Sequence, residues 1–163
     1  MVKKEILMSL SGVKEHEQEL EYLKTVRRKE VAQKIKTALA FGDLSENSEY
    51  NEAKNDQAML ESRINYLERT LNRVKIIDAN EISTDEASIG CIVKVRDLDT
   101  GEIEEYSLVS SNEANAREGK ISDESPVGAA IMGKTVGDSI TVTVPSGLTL
   151  RYELITIGKQ HNL

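Results

Sequence analysis

The stretch Phe41-Gly42-Asp43-Leu44-Ser45-Glu46-Asn47-Ser48-Glu49-Tyr50 lies between two long helical patterns and decides how they are arranged. Gly42 is the only glycine between Val13 and Ile89, and glycine suits the position just past a helix C-terminus. Two helices joined by so short a turn most simply fold back on each other. The stretch is therefore predicted to be the acidic tip of an antiparallel coiled-coil hairpin.

The first arm of this hairpin, from Val13 to Ala40, contains neither glycine nor proline. Ser9 or Ser11 is suited to cap its helix, which is expected to begin near Val13. The 3-4 spacing of a coiled-coil seam changes to steps of four around Arg27, which predicts a stutter. The predicted seam positions are Val13, His16, Leu20, Leu23, Arg27, Val31, Ile35, Ala38 and Leu39.

The second arm has seam positions that alternate by three and four without a break. Each arm has about 30 residues, so the rod is expected to be roughly 45 Å long at 1.5 Å per residue. The predicted seam positions are Tyr50, Ala53, Gln57, Leu60, Ile64, Leu67, Leu71 and Val74.

The second half of the chain has a different character, because eight of the ten glycines and both prolines lie at or after Gly90. Its strand patterns and turn residues predict a small α+β domain with a mostly antiparallel sheet. The predicted domains are a hairpin over residues 1–78 with its tip at 42–49, a linker at 79–88 and the α+β domain at 89–163. The predicted strands are Gly90–Arg96, Ile103–Ser110, Ile140–Val144 and Leu148–Ile157, with turns at 99–101 and 145–147 and a short helix at 125–132 that has Pro126 in its first turn.

The net charge of −7 argues against strong autonomous DNA binding, which usually needs a basic surface. Residues 1–78 carry 14 of the 21 basic and 14 of the 28 acidic side chains, so the excess acid lies in the second half. A single cysteine fits a reducing compartment, and no apolar run is long enough for a membrane span. We expect a cytoplasmic protein whose partner is a protein or a ribonucleoprotein.

No conventional active site emerges from the residues. His16 falls on the predicted seam, and His161 is far from it in the C-terminal tail. Cys91 lies in a strand pattern and is expected to be a small buried hydrophobic residue.

Asp43 and Glu46, three residues apart at the tip, allow two interpretations. Asp43 can be the N-cap of the second helix with Glu46 at its N3 position, as in a capping box. Alternatively, the two carboxylates point the same way and bind a hard divalent ion such as Mg²⁺, whose remaining ligands come from elsewhere. Spacing alone leaves both interpretations open.

The segment from Gly42 to Lys54, Gly-Asp-Leu-Ser-Glu-Asn-Ser-Glu-Tyr-Asn-Glu-Ala-Lys, closely resembles the signature of the bacterial GreA-type transcript cleavage factors. Further stretches agree in order and spacing, so the resemblance covers nearly the whole chain. They are 21–28 on the first helix, 61–64 on the second, and 121–122, 125–126 and 133–134 in the C-terminal domain.

This resemblance implies a coiled-coil hairpin followed by an FKBP-like domain. The globular domain is expected at the rim of the secondary channel of bacterial RNA polymerase, with the hairpin inside the channel. Asp43 and Glu46 would complete the coordination of a weakly held Mg²⁺ in the polymerase active centre. The polymerase would then cleave backtracked RNA near its 3′ end, so that the chain stimulates a nuclease without being an enzyme itself.

Other residues are candidates for contact with the polymerase or with RNA. They are Leu44, Tyr50, Lys54, Arg28, Ser125 and Pro126. Two other functions remain alternatives, an inhibitor that occupies the secondary channel without assisting cleavage and a coiled-coil chaperone or adaptor. The acidic Gly-Asp-Leu-x-Glu-Asn tip favours stimulation of cleavage.

Overall fold

The computed structural model describes residues 5–41 and 47–160. The contacts divide the chain into two compact units. One unit is Val13–Arg73, and the other combines the residues up to Gly12 with those from Val74 onward. The division at Arg73 lies a few residues before the end of the predicted 1–78 hairpin domain. The described residues contain helices and a mostly antiparallel sheet, which confirms the predicted α+β class.

The first unit is the predicted helical hairpin. Its first arm consists of α1 (Leu10–Tyr22), a π-helical turn (Leu23–Arg27) and α2 (Arg28–Leu39). The π turn lies where the sequence predicts a stutter. A π turn contains an extra residue and so shifts the phase of the seam, as a stutter does. The second arm is α3 (Ser48–Asn72), whose 25 residues span about 37 Å.

The two arms are held together by a narrow apolar seam. Val31, Leu60 and Ile64 form its buried centre, and Leu20, Leu23 and Ile35 pack against them. Every predicted seam position within α3 is buried or half-buried, as the heptad pattern predicts. Leu39 is a correction, because 46% of it is exposed and it lies off the seam.

The second unit contains a small parallel sheet that the sequence analysis missed. β1 (Ile6–Met8) pairs with β2 (Val74–Ile76), so Val74 is a strand residue and not the last seam position of the second helix. The segment before α1 also supplies the cap of that helix. Ser9 is the cap, since its Oγ accepts the backbone N–H of Gly12 at 3.0 Å, and α1 begins at Leu10 rather than near Val13.

The second unit is organised around a five-stranded sheet in the described residues, with the order β5-β4-β3-β7-β6. All neighbouring strands are antiparallel except β4 and β5. β5 was not predicted, and the other strands match the predicted segments to within two residues. The strands are β3 (Cys91–Asp97), β4 (Ile103–Val109), β5 (Lys120–Ser122), β6 (Ser139–Thr143) and β7 (Thr149–Lys159).

The predicted turns and short helix of this unit are confirmed. Gly101 and Gly147 have φ of +79° and +87° in the β3–β4 and β6–β7 turns, a region that glycine adopts without strain. α4 (Pro126–Ile131) begins with proline at its first position, and Ser125 is its N-cap. Short 3₁₀ turns complete the unit at Ala79–Glu81, Ser111–Glu113 and Ala116–Glu118.

The core of the second unit lies on one face of the sheet. Cys91 is fully buried there, as expected, together with Val93, Leu154 and Ile131 of α4. Residues 79–88 contribute Ile82 and Ala87 to the same core. No helix in the described ranges combines the length and apolarity that crossing a membrane requires.

Candidate functional site

The predicted tip is flanked by two well-defined helix ends. The first arm closes with the backbone N–H of Phe41 donating to the carbonyl of Ala38 at 3.1 Å. The second arm resumes at Asn47, which precedes the first residue of α3. The residues between them lie outside the described part of the chain, as does His161. They are Gly42, Asp43, Leu44, Ser45 and Glu46.

The N-cap of α3 is Asn47, which corrects the capping-box interpretation of the acid pair. Asn47 has extended backbone angles, and its Oδ1 accepts the backbone N–H of Tyr50 at 3.1 Å. The N3 position therefore belongs to Tyr50 and not to Glu46. An Asn N-cap satisfies one of the free N–H groups of the first turn, so the helix needs no capping carboxylate from Asp43.

Asn47 also joins the two arms. Its Nδ2 donates to the carbonyl oxygen of Ala38, the last buried residue of α2, at 2.7 Å. The side-chain amide is satisfied on both sides, because one end accepts an N–H and the other end donates to a C=O. The two partners fix the orientation of the amide. In the flipped amide, the NH₂ group would face the Tyr50 N–H and the oxygen would face the Ala38 carbonyl oxygen.

A groove of about 770 Å³ runs along the hairpin beside this bridge. Its lining includes the small buried residues Ala38 and Ala53, one from each arm. Its lining includes Lys29 and Lys34 as well as Glu49, so it does not present a field of one sign.

Ion pairs hold the arms together farther from the tip. Arg28 donates to Glu61 through Nε and Nη2, both at 2.9 Å, and Arg63 donates to Glu19 at 2.7 and 2.9 Å. These hydrogen bonds hold the pKa of the Glu61 and Glu19 carboxyls below the usual range. Two further pairs cross between the arms, Lys24–Glu68 at 2.9 Å and Lys34–Asp56 at 3.0 Å.

The remaining candidate residues of the hairpin have identifiable local roles. The guanidinium of Arg28 is engaged by Glu61, and Lys54 donates to Gln57 at 2.9 Å on the exposed side of α3. Tyr50 is half-buried in the first turn of α3. The structure brings Tyr50 close to the tip and places Lys54 one turn beyond it.

Ser125 and Pro126 lie in the second unit at the start of α4. The Ser125 hydroxyl donates to the carbonyl of Ser122 at 2.7 Å and accepts the N–H of Gly128 at 3.1 Å. Pro126 is exposed at the first helical position. The hydroxyl is thus used in local structure, whereas the proline ring is available at the surface.

Asn47 is the functional candidate that the sequence analysis missed. The sequence held a signal, since Asn47 is a favoured N-cap residue type and lies three residues before Tyr50, the spacing at which a cap accepts the N–H of N3. Among the described residues, 5–41 and 47–160, no group of three or more His, Cys, Asp or Glu side chains is placed to hold a metal ion.

Two family models match this chain. "Transcription elongation factor, N-terminal" matches residues 6–76, and "Transcription elongation factor, GreA/GreB, C-term" matches residues 82–159. The protein from Alkaliphilus oremlandii called transcription elongation factor GreA is 55% identical over 159 residues, which cover 98% of this chain and 99% of that protein. The protein of the same name from Clostridium novyi is 54% identical over 154 residues, which cover 94% and 96%.

Among solved structures, the GreA factor homolog 1 of Thermus thermophilus aligns with 94% of this chain and 99% of its own, at 29% identity and a TM-score of 0.45. The fold and the sequence together define a bacterial-type elongation factor built from a helical hairpin and a small sheet domain. The chain belongs to the GreA/GreB family of transcription elongation factors.

Proposed function

We propose that this chain binds bacterial RNA polymerase, inserts its hairpin into the secondary channel and stimulates cleavage of backtracked RNA by the polymerase. Membership of the GreA/GreB family over both units is the observation that carries the proposal. The reaction belongs to the polymerase, and the chain contributes ligands and position to it.

Asp43 and Glu46 are the residues that we assign to the reaction. Their carboxylates are hard oxygen ligands of the kind that Mg²⁺ prefers, and two of them leave most ligand positions to the polymerase, water and RNA. The ion, when bound, promotes formation of the attacking hydroxide and neutralises the charge that develops on the phosphate. Because Asn47 caps α3, the Asp43 carboxylate is not needed for that purpose.

The hairpin has a length suited to this role. The 25 residues of α3 carry the tip about 37 Å along the rod. Cross-arm pairs such as Arg28–Glu61 match basic with acidic side chains, which reduces nonspecific attraction of the rod to nucleic acid. The expected nucleic acid contact is therefore local, at the 3′ end of the RNA.

The proposal is tested with a stalled, backtracked polymerase complex that contains labelled RNA. The wild-type protein should shorten the RNA in the presence of Mg²⁺. Asp43→Asn and Glu46→Gln should each abolish most of this stimulation while melting and binding to the polymerase stay near wild type. Glu52→Gln, which removes an exposed acid one turn into α3, is the matched control and should cleave normally.

Two outcomes would contradict the proposal. Binding of the wild-type protein without cleavage would identify an inhibitor that occupies the channel. Full stimulation by Asp43→Asn would remove that carboxylate from the ligand set.

A further inference from the structure

We propose that Asn47 is a positioning residue for the tip carboxylates, because its side chain bonds the residue directly after Glu46 to the opposite arm. The inference rests on the proposed function and extends it from the metal ligands to the residue that presents them. Asn47 directly follows Glu46 in the chain, so restraint of Asn47 acts one peptide unit away from a proposed ligand.

The two residues that flank positions 42–46, Phe41 and Asn47, bond the same carbonyl group. Ala38 O accepts the backbone N–H of Phe41 at 3.1 Å and the Nδ2 of Asn47 at 2.7 Å. Ala38 is 2% exposed, so this carbonyl belongs to a well-packed part of the hairpin. Phe41 and Asn47, the described residues on either side of positions 42–46, are therefore held at one carbonyl group.

Helix capping does not account for this contact. An N-cap needs only a side-chain acceptor, and Ser and Asp cap about as well as Asn. The Nδ2 donor of Asn47 is an additional feature, used to bond the other arm rather than its own helix. Asn47 uses two separate atoms for this, Oδ1 to accept from its own helix and Nδ2 to donate across the hairpin, whereas an Asp carboxylate offers no donor and a Ser hydroxyl would have to serve both partners from one shorter atom.

Restraint of the loop ends matters because the two carboxylates must meet an ion that is held in a different protein. A short loop with fixed ends has fewer conformations to lose when its ligands are placed. Misplacement of reacting groups by about 1 Å can cost on the order of a hundredfold in rate. Loss of the bridge should thus lower the rate of cleavage without weakening binding of the rod.

The test uses substitutions that separate capping from bridging. Asn47→Ser keeps a good N-cap and removes the Nδ2 that reaches Ala38, since the serine hydroxyl is one bond shorter and is occupied by the cap. Asn47→Asp keeps the shape and the cap, removes the donor and adds a charge beside the tip. Asn55→Asp adds the same charge at an exposed position of α3 and serves as its control.

The measurements are the RNA cleavage rate at saturating factor, the factor concentration for half-maximal effect, and the Mg²⁺ dependence. Asn47→Ser should reduce the saturated rate about tenfold and raise the Mg²⁺ concentration required, with an unchanged half-maximal factor concentration and melting temperature. Asn47→Asp should share the defect, and Asn55→Asp should not. A purely structural role of Asn47 would lower the melting temperature without changing the Mg²⁺ requirement.

Wild-type rate and Mg²⁺ dependence in Asn47→Ser would overturn the inference, as would a defect confined to polymerase affinity. If the variant fails to fold, NMR of the wild-type protein provides the test. The bridge predicts slow solvent exchange of the Asn47 side-chain amide protons. Fast exchange of these protons would contradict it. Failure of the proposed function is distinguishable, because the wild-type protein itself would then give no cleavage.

Discussion

Glu113 binds Ser9 through both of its carboxylate oxygens. Oε2 accepts the backbone N–H of Ser9 at 3.0 Å, and Oε1 accepts its hydroxyl at 2.6 Å. Ser9 in turn accepts the N–H of Gly12, so a residue from the loop after β4 supports the cap of α1. A Cβ at Gly12 would lie 1.8 Å from Glu113 Oε1, which explains why a glycine stands in the first turn of this helix.

We therefore predict that Gly12→Ala destabilises the protein by about 1–3 kcal/mol although alanine is the better helix former, because the Glu113 carboxylate must move aside and lose its hydrogen bonds to Ser9. In a Glu113→Ala background the same change should stabilise the protein, because only the helix propensity of about 1 kcal/mol then remains. Urea denaturation of the wild-type protein, the two single variants and the double variant measures both effects. If Gly12→Ala changed the free energy of unfolding in the same direction with and without Glu113, the contact between Gly12 and Glu113 would be contradicted.

Arg28 provides a second prediction, because its two hydrogen bonds to Glu61 compete with any contact to polymerase or RNA. Arg28→Glu and Glu61→Arg should each lower the melting temperature through like-charge contact across the hairpin. The double exchange should recover most of that loss and most of the RNA cleavage. If the double exchange restored the melting temperature but not RNA cleavage, Arg28 would instead be assigned a contact with the polymerase or with RNA.

The sequence predicted the long, periodic elements well because their signal accumulates over many residues. The seam of α3 repeats over its whole length, and the hairpins at Gly101 and Gly147 are marked by residues that suit tight turns. Burial then follows from the pattern, as Cys91 and Ile64 show.

The elements that were missed are short or depend on distant partners. β1 has three residues, and its partner β2 is 68 positions away, from Ile6 to Val74. No local pattern encodes such a pairing. Val74 also fits the heptad spacing of α3, so the pattern alone assigns it to the helix. Capping by Asp43 was one of two interpretations that the spacing left open for the acid pair, and the contacts of Asn47 are what identify the cap of α3.

The Glu19–Arg63 and Glu61–Arg28 pairs predict that the hairpin is less stable in acid. Hydrogen bonds from arginine lower the pKa of both carboxyls in the folded protein. Their stabilisation is complete above the unfolded carboxyl pKa of about 4.3 and is lost as the pH falls through the lower folded value. Melting curves from pH 6 to pH 3 should show a smaller decline for Glu19→Gln combined with Glu61→Gln. An equal decline in both proteins would mean that these pairs do not couple to folding.

Gly128 marks a close approach of α4 to the end of β5. A Cβ built on Gly128 would lie 1.9 Å from the backbone carbonyl oxygen of Ser122, which cannot rotate away as a side chain can. Gly128→Ala should therefore cost about 1–3 kcal/mol or more, whereas Ala129→Gly, at the exposed next position, should cost only about 1 kcal/mol. Helix propensity alone predicts the opposite order, with alanine stabilising at 128 and glycine destabilising at 129. Urea denaturation of both variants decides between the two, since a stabilised Gly128→Ala protein would show that α4 can move away from β5 without loss.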